Sequence, residues 1–258
     1  MNPNFLIADD ATHPYPRVCA HRGMRNAAPE NSLPAYGAAI ALGVDEIELD
    51  VLPTKDGKLI SMHDRELSHN SNGEGMEYDY TLEELLALDF GSIHSPAYKG
   101  LKVLLFEDVL KKLGRSVIMN IHMKMWDLDI GEPVYEEIAA LIRKYHCEHH
   151  VYVTSRSLKH LAAFHAIAPE ITLCTCFNCA KGDPFDRIER AAAVGVKKLQ
   201  FTHPRADVID FLHGKGMICN VCFADDAKTA AEVLAMGADT LLSNNIMEVI
   251  PLLAGSEI

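Results

Sequence analysis

From Gly114 onward the chain alternates short β-branched or apolar runs with longer amphipathic segments, and no Pro/Gly/Ser-rich linker interrupts the alternation. This rhythm is the strongest constraint in the sequence. Parallel strands cannot be joined by a tight turn, so strand and helix must alternate when the helices serve as crossovers. Strand candidates are Val117 to Lys124, Val151 to Ser155, Thr172 to Phe177, Lys198 to Thr202, Met217 to Phe223 and Thr240 to Ser243. The helical patterns that follow them run over Pro133 to Tyr145, Leu158 to Ala168, Pro184 to Ala193, Ala206 to His213, Asp226 to Ala235 and Ile246 to Leu253. Two earlier strands, Arg17 to His21 and Glu46 to Val51, flank the helix pattern Leu33 to Leu42. Eight βα units predict an α/β fold of the TIM (β/α)8 barrel type. A chain of 258 residues with 48% hydrophobic content is long enough to form it as one domain over residues 1–258. The stretch from Thr54 to Gly114 does not follow the rhythm. It reads as a small insertion between the second and third βα units, with a hairpin at Lys55-Asp56-Gly57-Lys58 and short helices at Thr81 to Leu88 and Phe106 to Lys112.

Barrel enzymes carry their chemistry at the C-terminal ends of the strands, so polar residues that close an apolar strand are the candidates. His21-Arg22-Gly23 closes the first strand and Glu48-Leu49-Asp50 the second, where the i, i+2 spacing sends both carboxylates to one face. Two buried carboxylates without a cation are costly, and a divalent metal is the economical explanation. His63-Asp64 follows the apolar segment Leu59 to Met62, and His122 and Lys124 share one face at the end of the third strand. A lone histidine is more often a surface or hydrogen-bonded core residue; several strand ends carrying such groups in order are not so easily dismissed.

Composition narrows the partners. A formal net charge of −12 argues against nucleic acid, which needs a basic face. A small anionic substrate remains compatible, provided that a metal and a few local cations reverse the field inside the site. The first ten residues show neither a basic start nor a long apolar run, so no secretory signal or transmembrane segment is expected. Seven cysteines, an odd number, suit a reducing compartment, and a cytoplasmic location is the expectation. Nothing in the sequence bears on oligomeric state.

The ordered motifs resemble the glycerophosphodiester phosphodiesterase family. The resemblance rests on His21-Arg22-Gly23, Pro29-Glu30-Asn31-Ser32, Gly43 to Val51, Thr54-Lys55-Asp56-Gly57, His63-Asp64, Asn72-Gly73-Glu74-Gly75, Thr81-Leu82-Glu83-Glu84-Leu85 and Phe106-Glu107-Asp108-Val109-Leu110. These fall in about the first 125 residues, and the remainder matches mainly as a barrel ending in Gly237-Ala238-Asp239-Thr240. The resemblance implies metal-dependent hydrolysis of a small phosphodiester substrate to an alcohol and glycerol 3-phosphate. It assigns acid–base work to His21 and His63, the metal to Glu48 and Asp50, and phosphate contacts to Arg22 and Lys124. Two outcomes besides simple hydrolysis are weighed: a lyase-type reaction that releases a cyclic phosphate, and a protein that binds the diester without turnover.

Two departures matter. The family usually has Glu as third ligand where this chain has His122; imidazole suits zinc or manganese better than calcium, so Mg, Ca, Mn and Zn all stay open as the ion. His122 is expected as a ligand, the other reading being a hydrogen-bonded histidine that leaves the ion to two carboxylates and water. On the seventh strand the family commonly carries a tryptophan, whereas this chain has Cys219-Asn220-Val221-Cys222-Phe223, and Trp126 is a substitute candidate for the pocket mouth.

Several other features have plainer readings. Cys174, Cys176, Cys179, Cys219 and Cys222 read as buried thiols rather than a zinc or redox set. His146-Cys147-Glu148-His149-His150 falls between a helix and a strand, at the barrel end opposite the chemistry, and reads as a solvated turn. His69 and His94 lie in the inserted segment without a spacing argument for a role. Glu30 is placed on the substrate side as an outer carboxylate, and Asn31 as the cap of the following helix.

Overall fold

The structure, a computed structural model, describes residues 15–125 and 131–254. Strand β1 (Arg17–His21), helix α1 (Leu33–Ala41) and strand β2 (Glu46–Pro53) form the first crossover. The cap of α1 belongs to Ser32, whose side chain accepts from the Ala35 amide, and not to Asn31 as the sequence suggests. Asn31 takes a left-handed φ of 53° and turns its amide inward, toward Asp50.

After β2 the chain reverses at Gly57 into the short antiparallel β3 (Leu59–Ser61), as the Asp-Gly turn signal predicts. Helix α2 (Leu82–Ala87) starts on a capping box between Thr81 and Glu84. Strand β4 (Leu104–Leu105) pairs with β3 and leads directly into α3 (Phe106–Leu113).

The βα rhythm then resumes with β5 (Ile118–Met123), α4 (Glu132–Lys144), β6 (Val151–Ser155), α5 (Leu158–Ile167), β7 (Thr172–Asn178), α6 (Pro184–Val194), β8 (Lys198–Thr202), α7 (Ala206–Gly214), β9 (Ile218–Cys222), α8 (Ala227–Ala235), β10 (Thr240–Ser243) and α9 (Ile246–Ala254). Eight parallel strands close into a barrel in the order β1, β2, β5, β6, β7, β8, β9, β10, with β10 pairing back to β1. Strand β5 and its neighbour β6 are buried along their whole length, as expected of parallel strands with side chains packed inside and helices outside.

The barrel floor is polar. Arg17, Glu46 and Lys198 have no solvent exposure. An Arg17 Nη1 donates to Glu46 Oε1 at 3.4 Å, the Tyr152 hydroxyl donates to Glu46 Oε2 at 2.6 Å, and Lys198 Nζ lies 4.7 Å from the centre of the Tyr152 ring. One carboxylate therefore serves a buried arginine and a buried tyrosine beside a buried lysine. Above this layer Asn120 donates to Gln200 and accepts from Thr154.

Strand register is what sets the mouth of the barrel. His21 pairs with Glu48 across β1 and β2, and Asp50 pairs with His122 across β2 and β5. Immediately after His21 the chain turns through left-handed Arg22 (φ 59°) and Gly23 (φ 78°). A Cβ on Gly23 would lie 2.7 Å from the backbone carbon of Ala35, so only glycine lets α1 pack against this turn.

Candidate active site

At the C-terminal end of the barrel the structure brings His21, Arg22, His63, His122 and Lys124 around one cavity of about 470 Å³. Glu48 and Asp50 lie beneath them with almost no exposure. Glu48 Oε2 accepts from the backbone amide of Arg22 at 3.1 Å, and Asp50 Oδ2 accepts from Asn31 Nδ2 at 2.9 Å, with Arg22 Nε 3.3 Å away. Asn31 also accepts from the Asp50 backbone amide at 3.0 Å and from the Tyr36 hydroxyl at 2.9 Å, so the strand end that carries Asp50 is clamped from α1.

The second oxygen of each carboxylate, Glu48 Oε1 and Asp50 Oδ1, is buried without a hydrogen-bond partner. Both face His122 Nδ1, at 3.5 Å and 3.8 Å, and Lys124 Nζ stands 3.5 Å from Asp50 Oδ1. A ligand atom from each of Glu48, Asp50 and His122 lies within 4.8 Å of the other two. Orphaned buried oxygens beside an imidazole nitrogen are the donor set a small divalent cation requires. The other ring nitrogen of His122 is 3.7 Å from the Cys176 sulfur, an arrangement that leaves Nδ1 turned toward the carboxylates.

Burial and the charge of Asp50 push the Glu48 carboxyl up to about 7. Burial acts on Asp50 in the same sense, but Lys124 and Arg22 outweigh it and hold Asp50 well below the usual carboxylate range. The two carboxyls are thus inequivalent, and the cations favour charge on Asp50.

The two strand-end histidines differ in their partners. His21 Nδ1 is 2.7 Å from Asn244 Oδ1, and Asn244 is itself fixed by Asp225, which accepts from the Asn244 backbone amide and side-chain amide at 2.6 Å and 2.7 Å. An amide oxygen can only accept, so Nδ1 of His21 carries the hydrogen and Nε2 faces Glu48 at 3.9 Å. Phe223 packs edge-on against the His21 ring, with centroids 5.4 Å apart. His63 Nδ1 is 2.8 Å from Asp64 Oδ1, a carboxylate rather than an amide. Burial lowers the pKa of both rings, opposed mainly by Glu48 at His21 and by Asp50 at His63.

Glu30 enters the arrangement through the arginines: it accepts from Arg22 at 2.8 Å and pairs with Arg25 at 2.7 Å. It also groups with His63 and Asp64, and together with His69 and His94 it lines a side cavity of about 290 Å³ next to the main one. The His146 to His150 turn lies before β6, at the opposite end of the barrel. All seven cysteines are free, none joins a metal-capable group among the described residues, and burial pushes the Cys174 thiol up to about 12. Trp126, suggested for the pocket mouth, lies outside the described residues. Asn244 and Asp225 escape the reading of the sequence, which stops at the motifs of the first three strands for its site residues. Asn244 directly follows β10, and the rule that picks out His21 and His122 would have picked it too; Asp225 lies three positions beyond the end of β9, where that rule gives no signal.

Comparison with known proteins adds an independent line. The model of the glycerophosphoryl diester phosphodiesterase family matches residues 21–248. A glycerophosphodiester phosphodiesterase of Caldanaerobacter subterraneus subsp. tengcongensis is 31% identical over 185 residues, 71% of this chain and 76% of the relative. One from Bacillus altitudinis is 27% identical over 230 residues, 88% of this chain and 94% of the relative. Among solved structures, an Oleispira antarctica phosphodiesterase in complex with the product sn-glycerol-3-phosphate has a TM-score of 0.80 at 22% identity, over 93% of this chain and 98% of the other. Among the described residues no helix is long and apolar enough to cross a membrane.

Proposed function

The chain belongs to the glycerophosphoryl diester phosphodiesterase family, and we propose that its barrel mouth hydrolyses a glycerophosphodiester to glycerol 3-phosphate and an alcohol, with Glu48, Asp50 and His122 holding a divalent ion and His21 and His63 moving the protons. The observation that carries this reading is the pair of buried oxygens on Glu48 and Asp50 that no hydrogen bond satisfies, set between Arg22, Lys124 and two histidines with fixed partners. The product in the Oleispira structure is consistent with the same chemistry here. Zinc or manganese suits two carboxylates and an imidazole better than calcium or magnesium, which prefer all-oxygen sets. When bound, such an ion acts as a Lewis acid on the phosphoryl group.

Arg22 and Lys124 neutralise charge that grows on the phosphoryl oxygens in the transition state, where a water-poor site makes each contact worth more than it is in solvent. His21, with its Nδ1 hydrogen donated to Asn244, presents a lone pair on Nε2 and takes the proton of the nucleophile. His63 is the acid: Asp64 stabilises its protonated form, and the proton passes to the departing alkoxide. Glu30 orients Arg22 and keeps its guanidinium directed at the phosphate position. Seven free thiols accord with work in the reducing cytoplasm.

The test separates the two histidines. His63→Ala should lose about 100-fold or more on an alkyl-alcohol diester, the usual worth of a positioned acid, yet retain much of its rate on a nitrophenyl diester, whose leaving group needs no proton. His21→Ala should be impaired on both. The reverse pattern would exchange the roles, and full activity in both variants would sink the mechanism. Phosphorus NMR of the product checks the nucleophile, because a cyclic phosphate that persists would mean attack by the neighbouring hydroxyl instead of water.

A further inference from the structure

The cavity carries more positive charge than one phosphodiester uses. Arg22, Lys124, Arg156, Lys181 and Arg187 all line it, and no Asp or Glu does so among the described residues. That is the opposite of the chain as a whole, in which acidic residues outnumber Lys and Arg 36 to 24. Arg22 and Lys124 are engaged below with Glu30 and Asp50, on the β1–β2–β5 side. The other three stand across the mouth, after β6, after β7 and on α6.

These three differ from ordinary surface cations. Arg187 lies over the ring of Phe177, 5.4 Å from its centroid, which holds the guanidinium against the cavity wall. Arg156 makes a side-chain hydrogen bond with the Cys176 sulfur, which also lies 3.7 Å from His122 Nε2. A neighbouring cavity of about 310 Å³ shares Arg156, Phe177 and Arg187 and adds Lys159 and Arg190. Arg190 is tied to Asp186 at 3.7 Å, whereas Lys181 and Arg187 form no ion pair with any described residue. Like charges gathered on one wall repel one another, and a bound anion relieves that repulsion. A guanidinium fork and an ammonium together match a phosphate better than any neutral or cationic group.

We propose that the alcohol side of this site is built for a glycerophosphodiester whose alcohol carries an anionic group of its own, a second phosphate, received by Arg156, Lys181 and Arg187. The proposal rests on the hydrolytic reading above for the position of the diester, and adds the charge class of the leaving alcohol.

Two arms test it. In the first, kcat/KM is compared for three glycerophosphodiesters whose alcohol is glycerol, choline, or glycerol bearing a terminal phosphate. The phosphate-bearing substrate should be preferred and choline disfavoured, and the preference should shrink with rising salt. Lys181→Gln/Arg187→Gln should lower the ratio of phosphate-bearing to neutral substrate about 10-fold, what two exposed charge contacts together supply. In the second arm, calorimetry compares glycerol 3-phosphate with glycerol carrying phosphates at both ends. The wild type should bind the bisphosphate more tightly, and the double variant should lose that advantage. Indifference to alcohol charge in both arms, or a wild-type ratio retained by the variant, overturns the proposal. Absence of turnover on every diester would overturn the hydrolytic reading alone, since the binding arm still decides this one. Both side chains are exposed, so the variant should melt with the wild type, and a thermal scan confirms it.

Discussion

Glu48 offers a sharp test of the metal centre, because removing its charge should stabilise the metal-free protein. Glu48 is 1% exposed and Asp50 is fully buried. Burial and Asp50 push the Glu48 carboxyl from 4.5 up to about 7. A carboxyl with a higher pKa folded than unfolded holds its proton more tightly in the fold, so ionising it weakens the fold. Stability therefore falls as pH rises from 4.5 to about 7, and the loss is complete above that. At 1.36 kcal/mol per unit, the penalty is on the order of 3 kcal/mol. Glu48→Gln removes the charge and keeps an oxygen for the Arg22 amide. Above pH 7 and in chelator, the variant should melt roughly 6–12 °C higher than wild type, at about 2–4 °C per kcal/mol for a domain of this size. A divalent ion should reverse the order, since about 1,000 times its Kd adds about 4.1 kcal/mol to a protein that binds it. Calorimetric melting with chelator and with titrated manganese reads both effects. A metal-free variant that melts below wild type, or one that gains as much from manganese, would refute the reasoning.

Three other outcomes follow from the same geometry. Asn244→Leu removes the acceptor that fixes the His21 ring, so kcat should fall about 10-fold or more with KM little changed, and a fall in KM-linked binding alone would contradict the orienting role. Glu46→Gln removes the carboxylate paired with buried Arg17, and urea unfolding should register a loss of about 3–5 kcal/mol. Gly23→Ala forces a Cβ against the Ala35 backbone at a left-handed φ, and should lose at least about 1–3 kcal/mol in the same assay; an unchanged urea midpoint would mean that the turn tolerates a side chain.

The sequence by itself determined the barrel and the residues at its mouth. Strand–helix rhythm is a local property, and it placed β10 at Thr240–Ser243 and the helix from Pro184 correctly because each run carries its own periodicity and punctuation. His21, Arg22, Glu48, Asp50, His63, His122 and Lys124 were legible for a related reason: each sits at or just beyond an apolar run that ends at the catalytic side of the barrel. What only the tertiary structure decided is pairing. The bond between His21 and Asn244 spans 223 positions, and the Tyr152 bond to Glu46 spans 106. No periodicity in one chain reports which distant polar groups will meet. Asn31 shows the same limit nearby: its type and place suit a helix cap, but Ser32 takes that role, and closure of β1 against β2 gives the Asn31 amide to Asp50. The cations of Arg156, Lys181 and Arg187 were hidden in a chain of net charge −12, because composition averages over the surface while the fold gathers three scattered residues onto one wall.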